Sequence, residues 1–341
     1  MLAVLGAAAG IAAGSVPAQA QGEVNIYSYR EPQLIDPLLK AFTQKTGIKT
    51  NVVFASAGLN ERLAAEGANS PADLLFTVDA GRLSEAKDMG LTQAVADAQI
   101  KAAVPAPYRD AQDHWFGLTM RGRIVYASKE RVKQDAITYE ELADPKWKGR
   151  ICVRSGQHVY NTSLIATIVA NKGEAFAETW LKGLKSNLAQ KPAGGDREQA
   201  RDIASGKCDL ALGNTYYMAL MMLNEKNPEQ KQWAAAIKPL FPNAQDRGTH
   251  VNISGMALAK HAPNKANAVK LMQFLASDEA QKIYASANNE YPVNPKIEPS
   301  DIVKSWGALK PDTLPLDNIA KYRKKASELV DKVNFDAGPN S

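Results

Sequence analysis

The chain has 341 residues, a formal net charge of +5 and an ordinary globular composition in which 45% of the residues are hydrophobic. After a leader of twenty residues, about 320 residues exceed the size at which one hydrophobic core usually stops growing, so two lobes are expected. The charge excess is modest and forms no stripe of lysine and arginine with interleaved aromatic residues, which argues against a nucleic-acid-binding protein.

The first twenty residues have the pattern of a secretory signal peptide. A Gly/Ala-rich apolar run ends at Ala18-Gln19-Ala20, the Ala-x-Ala form of a signal-peptidase site, so the mature chain is expected to start at Gln21. The run is too short and too rich in glycine for a membrane span, and no later segment approaches the roughly 18 to 20 apolar residues that a span needs. We therefore expect a soluble, exported protein that does not span a membrane.

Strands and helices are predicted to alternate at the start of the mature chain. The predicted elements are a strand at 24–28, a helix ending at Gly47, a strand at 50–54, a helix at 60–66, a strand at 73–78 and a helix at 83–89. This βαβ order predicts a parallel sheet with crossover helices.

A β-rich passage at 115–126 and a turn-rich break at 144–149 precede a second alternating segment. The later predicted elements are strands at 150–153, 208–213 and 251–260, and helices at 161–170, 174–184, 197–205, 215–223, 264–276, 279–287 and 318–333. This order predicts an α/β protein of two lobes joined by more than one crossing strand. Ligands of such sheets bind outside the carboxyl ends of the strands.

Two tyrosine sites lie at the same distance from the only two cysteines. Cys152 precedes Tyr160 by eight residues, and Cys208 precedes Tyr216, which is followed by Tyr217, by eight residues as well. An exported chain favours a disulfide, with two buried free thiols as the alternative. If the cysteines are bonded, tyrosines at equal offsets beyond them would converge on one point.

A cluster of phenols suits a hard, highly charged cation, because oxygen donors match hard metals whereas soft metals prefer thiolate and imidazole. Asn161 and Asn214 are predicted to cap the helices at the two tyrosine sites, and helix N-termini favour anions. The pattern therefore points to Fe(III), bound by Tyr160, Tyr216 and Tyr217. The alternative is that a Tyr-Tyr pair at a helix start simply packs in the core.

Three phenolates and a bound anion would overcompensate the charge of Fe(III), so nearby arginines would be useful. Arg30, Arg121 and Arg123 are the candidates for this anion-binding or charge-balancing role.

Several short segments together resemble the ferric-ion-binding periplasmic proteins of ABC importers, the FbpA/FutA family. The segments are Val24-Asn25-Ile26-Tyr27-Ser28-Tyr29-Arg30, Ser70-Pro71-Ala72-Asp73, Trp115-Phe116-Gly117-Leu118-Thr119, Val153-Arg154-Ser155-Gly156, Gly194-Gly195-Asp196-Arg197, Gly213-Asn214-Thr215-Tyr216-Tyr217 and Asn252-Ile253-Ser254-Gly255. The resemblance covers nearly the whole mature chain. It implies the two-lobed periplasmic-binding-protein fold of the class II type, with the ligand cleft between lobes joined by crossing strands.

The resemblance also implies a ligand set and partners. The adjacent tyrosine pair of the family corresponds to Tyr216 and Tyr217, its third tyrosine to Tyr160, and its variable ligand from the N-terminal lobe to Tyr29. Some members of the family also bind a synergistic carbonate, for which Arg121 is the expected partner. A monomer that delivers ferric ion to an ABC importer permease is expected, with an N-terminal lobe of residues 21–120 and 250–295 and a C-terminal lobe of residues 121–249 and 296–341.

Two other functions compete with this interpretation. The same architecture binds small organic anions or polyamines, although a polyamine site needs several carboxylates that the tyrosine cluster does not supply. An enzyme is the second rival, because Ser84 and Lys87 match Ser-x-x-Lys and residues 45–47 match Lys-Thr-Gly of penicillin-recognising enzymes. Their order is wrong, and Gly47 is explained as the end of a helix, so catalysis is not expected.

Overall fold

The computed structural model of the protein describes residues 22–341. The predicted signal peptide, residues 1–20, lies outside these residues. The strands of the described part are β1 Glu23–Ser28, β2 Lys49–Phe54, β3 Leu74–Thr77, β4 Thr92–Gln93, β5 Trp115–Ser128, β6 Ile151–Cys152, β7 Leu210–Asn214, β8 Ile237–Leu240, β9 Val251–Ala259 and β10 Tyr291–Pro292. The helices are α1 Pro32–Thr46, α2 Leu59–Glu66, α3 Ala80–Asp88, α4 Ala98–Ala103, α5 Val159–Lys172, α6 Glu174–Ser186, α7 Asp196–Ala204, α8 Thr215–Met222, α9 Glu229–Ala235, α10 Lys265–Ala276, α11 Asp278–Asn288, α12 Asp301–Lys304 and α13 Leu316–Lys332.

Helix α1 shows how the sequence pattern sets the local structure. The side chains of Ile35, Leu38, Leu39 and Phe42 are buried, because their spacing places them on one face of the helix. Gly47 ends the helix with φ at 73°, a left-handed conformation that suits glycine, and its N–H bonds the carbonyl of Thr43. The predicted end of this helix is therefore confirmed.

The sheet is mixed, so the prediction of a parallel sheet is only partly right. The strand order is β2-β1-β3-β9-β5-β7-β6. β1 pairs in parallel with β2 and β3, as the βαβ order predicts. β9 runs antiparallel to both β3 and β5, because it enters the sheet only after the chain has passed through the second half of the molecule.

One long strand connects the two parts of the sheet. The predicted β-rich passage is a single strand, β5, whose first half pairs with β9 as far as Gly122 opposite Val251. From Arg123 onward β5 pairs instead with β7, and its last residues also pair with β8. β5 is therefore a crossing strand that belongs to both groups of strands. The lobe boundaries themselves stay a prediction.

The last helix packs against both parts of the molecule. α13 contacts α5, which follows β6, and α3, which follows β3. An ion pair at 3.3 Å between Arg323 of α13 and Asp79, the N-cap of α3, lies at the second contact. Between residues 22 and 341, no helix combines the length and the apolar character that crossing a membrane requires.

Candidate metal centre

Two parallel strands end at the same edge of the sheet and lead into the tyrosine sites. β6 and β7 are neighbours, with Ile151 opposite Leu210 and Cys152 opposite Ala211. A disulfide joins Cys152 to Cys208, with 5.9 Å between their Cα atoms, which confirms the predicted bond. Because α5 follows β6 and α8 follows β7, the first turns of both helices lie at this edge.

Three tyrosines from these first turns meet at one place. The hydroxyl oxygens of Tyr160 and Tyr216 are 3.2 Å apart. The rings of Tyr216 and Tyr217 lie against each other with centroids 4.2 Å apart. Tyr160 and Tyr216 are both buried, so their phenols are largely removed from bulk water. The structure thus brings together the three tyrosines that the sequence predicts as the core ligands.

The helix caps at this site differ from prediction. α5 begins one residue after His158, which is its N-cap, so the prediction that Asn161 caps it is wrong. Asn214 does occupy the N-cap position of α8, but its side chain makes no capping hydrogen bond. The reason is shared: the side-chain oxygens of Asn161 and Asn214 both accept hydrogen bonds from Arg123, at 2.8 and 3.1 Å.

A buried ion pair holds the two tyrosine helices together. Arg123 donates to Asp196 at 2.6 Å, and neither side chain is more than 2% exposed. Asp196 also accepts the backbone N–H of Asn214 and a hydrogen bond from Arg154. Burial works against ionisation of Asp196, but Arg123 and Arg154 outweigh it and hold the pKa of that carboxyl below its ordinary value. Arg123 therefore positions the site, and its charge-balancing role stays a prediction.

A glycine makes room for the start of the second tyrosine helix. A Cβ atom at Gly213 would lie 2.2 Å from ring carbons of Tyr126. The hydroxyl of Tyr126 donates to the backbone carbonyl of the next residue, Asn214, at 2.6 Å. Gly213 is thus needed for a close approach that fixes the residue from which α8 starts.

Two phenols of this cluster, those of Tyr216 and Tyr217, hold their protons in the absence of a cation. Burial raises the pKa of Tyr216 well above its ordinary value, and the nearby Tyr160 and Tyr217 raise it further, while Arg121 opposes them. Burial and Tyr160 also raise the pKa of Tyr217. A metal that binds here must therefore displace the phenolic protons, as metals do at other ligands that coordinate in the deprotonated form.

Arg121 and Arg30 meet at one serine but differ in their charge partners. Both donate to the hydroxyl oxygen of Ser254, at 2.9 and 2.5 Å respectively. Arg30 also forms a buried ion pair with Glu290 at 2.8 Å, which compensates its charge. The Nε and Nη2 atoms of Arg121, which is 2% exposed, have no hydrogen-bond partner among the described residues. With its guanidinium carbon 5.7 Å from the ring centre of Tyr160, Arg121 retains donors for an anion at the cluster.

Tyr29 faces the cluster from the other part of the molecule. It lines the same cleft of about 710 Å³ as Tyr160, Tyr216 and Tyr217. Its hydroxyl oxygen accepts the backbone N–H of Asn60 in the first turn of α2, at 2.8 Å. Burial raises the pKa of Tyr29, although this N–H and the guanidinium of Arg82, 4.1 Å above the ring, favour the phenolate.

Further cationic side chains line the cleft without having been assigned a role from the sequence. The guanidinium carbon of Arg154 lies 5.4 Å from the ring centre of Tyr160, and that of Arg197 lies 4.8 Å from the ring centre of Tyr217. Both arginines occur in segments that carry the family resemblance. Their placement over the tyrosine rings has no sequence signal, because it depends on loops that only the folded chain brings together.

A histidine missed by the sequence analysis stands beside Tyr160. The Nδ1 atom of His158 accepts the backbone N–H of Tyr160 at 3.3 Å, and the two rings pack edge to face. Burial and the charge of Arg154 lower the pKa of His158 to about 3, so its imidazole is neutral. Within residues 22–341 no group of three His, Cys, Asp or Glu side chains could hold a metal ion.

Known proteins share sequence with this chain over most of its length. A family model described as bacterial extracellular solute-binding protein matches residues 28–282. Iron uptake protein A1 of Synechocystis sp. is 42% identical over 317 residues, which cover 92% of this chain and 88% of that protein.

Solved structures agree with these sequence matches. The Bordetella ferric binding protein is 52% identical, with a TM-score of 0.85 over 92% of this chain and 99% of that one. A Trichodesmium protein (IdiA, FutA) in complex with iron and citrate is 40% identical, with a TM-score of 0.87 over 92% of this chain and all of that one. The present chain has the same two-lobed α/β fold, which confirms the predicted periplasmic-binding-protein fold.

Proposed function

The chain belongs to the bacterial extracellular solute-binding protein family, and we propose that it captures Fe(III) in the cleft between its lobes and delivers it to an ABC importer permease. The observation that carries this proposal is the 3.2 Å approach of the Tyr160 and Tyr216 hydroxyls, with Tyr217 stacked beside them. Two phenolates held this close repel each other strongly unless a cation lies between them. A hard trivalent ion is the cation that such oxygen donors match best.

In this proposal Tyr160, Tyr216 and Tyr217 supply the core ligands, and Tyr29 supplies a fourth from the opposite side of the cleft. Arg121 binds a carbonate or a carboxylate anion that completes the coordination, because its unpartnered donors lie beside Tyr160. The iron and citrate bound by the Trichodesmium relative support an anion of this kind. Arg30 and Arg123 add positive charge to the surroundings of the site.

We also propose a cellular location, an oligomeric state and lobe boundaries for the protein. Residues 1–20 act as a signal peptide that directs the chain to the periplasm, where it works as a monomer without catalytic activity. Residues 21–120 and 250–295 form one lobe, and residues 121–249 and 296–341 form the other. The shift of β5 from β9 to β7 after Gly122 supports a boundary close to residue 120.

The charges in the cleft disfavour a polyamine as the ligand. The cleft is lined by Arg30, Arg82, Arg154 and Arg197, whereas its two acidic residues, Glu31 and Glu225, have exposed side chains. A cationic amine would be repelled by these guanidinium groups. A small organic anion remains the rival ligand, and it is separated from ferric ion by the experiment below.

Titration with ferric citrate tests the proposal directly. We expect a visible charge-transfer band from tyrosinate bound to Fe(III) in the parent protein. Tyr216→Phe should abolish most of the band, because it removes a ligand hydroxyl and little packing. Tyr284→Phe is the matched control, since Tyr284 is also buried but its hydroxyl has no partner among the described residues and does not line the cleft. If the parent shows no band and binds citrate without iron, the organic-anion function replaces this one.

A further inference from the structure

The mouth of the cleft carries exposed apolar side chains on both sides. Phe54 is 42% exposed and Leu223 is 51% exposed, and both line the cleft that contains the tyrosines. Their neighbours Val53 and Met222 are exposed as well, so these two pairs account for four of the six large hydrophobic side chains exposed in the described part of the chain. Phe54 and Leu223 thus place exposed apolar surface at the mouth of the cleft, where a contact would remove it from water.

The position of Leu223 follows from the helix that carries the tyrosines. Tyr216, Leu220 and Leu223 are spaced i, i+4 and i+7 along α8 and its C-cap, so they lie on one face. Leu220 also lines the cleft. With a rise of about 1.5 Å per residue, Leu223 stands about 10 Å along the axis from Tyr216. The face that presents Tyr216 to the interior therefore presents Leu223 at the rim.

Phe54 has the matching position on the other lobe. It is the last residue of β2 and lies opposite Ser28 of β1, the residue that precedes Tyr29. The side chain of Phe54 thus stands at the carboxyl end of the strands, near Tyr29, as Leu223 stands above Tyr216. Leu223 thus ends the helix that carries Tyr216, and Phe54 ends the strand that pairs with the one leading to Tyr29.

Opposite charges accompany the two apolar residues. Glu31 lines the cleft on the side of Phe54, and Lys226 lines it on the side of Leu223. Both side chains are exposed. Glu225, which lines the cleft beside Lys226, is already paired with Lys231. Glu31 and Lys226 therefore offer opposite charges beside the two apolar residues, which fits contact between the rims when the lobes approach.

We propose that Phe54 and Leu223 close against each other when the cleft shuts over its cargo, with Glu31 and Lys226 paired beside them. This mouth contact rests on the proposed iron-binding function and adds a sealing device to it. Burial of the two apolar side chains excludes water and competing chelators from the tyrosine cluster. In the drier cleft the attraction between the phenolates and the ferric ion is stronger, so iron is released more slowly.

Release of iron to a chelator tests the mouth contact. Parent protein and variants are loaded with ferric citrate, mixed with excess EDTA, and followed by the decay of the charge-transfer band. Phe54→Gln and Leu223→Gln should each speed the decay on the order of fivefold, the effect of losing part of one apolar contact. Phe176→Gln and Met89→Gln are matched controls, because these residues are 39% and 44% exposed away from this cleft and should leave the rate unchanged.

Charge reversal at Lys226 and Glu31 tests the mouth contact independently, again by the rate of iron release. Lys226→Glu should speed release by placing a like charge opposite Glu31, and adding Glu31→Lys should restore the slower rate. If the band forms in all variants and decays at the parent rate, the mouth contact is wrong while the iron-binding function stands. The mouth contact would also be wrong if the Phe54 and Leu223 variants released iron at the parent rate but supported less iron uptake in cells. The apolar residues would then contact the permease instead. Absence of a band in the parent protein would overturn both.

Discussion

A buried tyrosine hydroxyl resists ionisation, and this property sets how iron binding depends on pH. The pKa values of Tyr216 and Tyr217 are raised, first by burial, so the metal-free site holds its phenolic protons at neutral pH. Each tyrosinate that binds the ferric ion must then release one proton. By linkage, lowering the pH opposes binding.

We therefore predict that iron affinity falls steeply on acidification. With three core tyrosines, the logarithm of the apparent affinity should fall by up to about three for each pH unit between about pH 7 and pH 5. Competition with a chelator of known protonation behaviour measures this slope, and Tyr160→Phe should reduce it by about one. An affinity that stayed flat down to about pH 4 would rule out tyrosinate ligands.

The sequence alone predicts which residues are candidate metal ligands. It does not predict which side chains surround and position them. The equal offsets from Cys152 and Cys208 predict that Tyr160 and Tyr216 converge if the two cysteines are bonded, and that disulfide is present. The role of Asp196 could not be predicted in this way. It depends on a carboxylate that reaches Arg123, 73 residues away along the chain, in a buried pair.

At the scale of elements, the predicted helices and strands mostly exist, and the errors lie at their ends. Asn161 has the sequence preference of an N-cap, but Arg123 takes its side-chain oxygen and His158 caps α5 instead. The β-rich passage predicted at 115–126 is one strand, β5, which runs to Ser128 because it pairs with β9 along its first half and with β7 and β8 along its second. Tertiary hydrogen bonds decided each of these cases.

The pair of Arg123 and Asp196 links β5, α5, α7 and α8, so its loss should destabilise the whole C-terminal lobe. Asp196→Asn keeps the size of the side chain but leaves Arg123 buried without a counter-charge. We expect the free energy of unfolding to fall by about 3 to 5 kcal/mol, measured by urea denaturation of the metal-free protein. Because the folded pKa of Asp196 is lowered, its contribution is present above about pH 4 and is lost as the pH falls further.

Asp209→Asn provides the control for this prediction. Asp209 also pairs with two arginines, Arg131 and Arg150, but those side chains are more than a third exposed. The Asp209 side chain is 12% exposed, but its arginine partners are solvated and keep their charge in water when it is neutralised. The loss should therefore be about 1 kcal/mol, well below that at Asp196. Equal effects at both positions would show that burial does not govern the Asp196 contribution.

At the scale of the whole molecule, the two-lobed arrangement was predictable because a chain of this length alternates strands and helices on both sides of a turn-rich break. The antiparallel return of β9 was not, since a single strand pattern contains no information on direction. That return has a consequence for function. It brings Ser254, between Arg30 and Arg121, to the junction where the two lobes face each other.

Tyr29 tests whether iron links the two lobes. It lines the cleft next to β1, whereas the core tyrosines follow β6 and β7, so we expect it to reach the metal only when the lobes approach. Tyr29→Phe should leave a coloured complex, formed by Tyr160, Tyr216 and Tyr217, but weaken iron binding by about tenfold or more. It should also reduce the compaction on iron binding, measured as the change in radius of gyration by small-angle scattering.

Tyr27→Phe is the matched control for this last variant. Tyr27 lies two residues earlier, on the same face of the sheet, but its hydroxyl donates to Glu66 and it does not line the cleft. This variant should bind iron and compact like the parent, because the hydroxyl it loses does not face the metal. If Tyr29→Phe also behaved like the parent, the N-terminal lobe would contribute no tyrosine ligand. Closure would then depend on the anion, Arg121 and the apolar residues at the mouth.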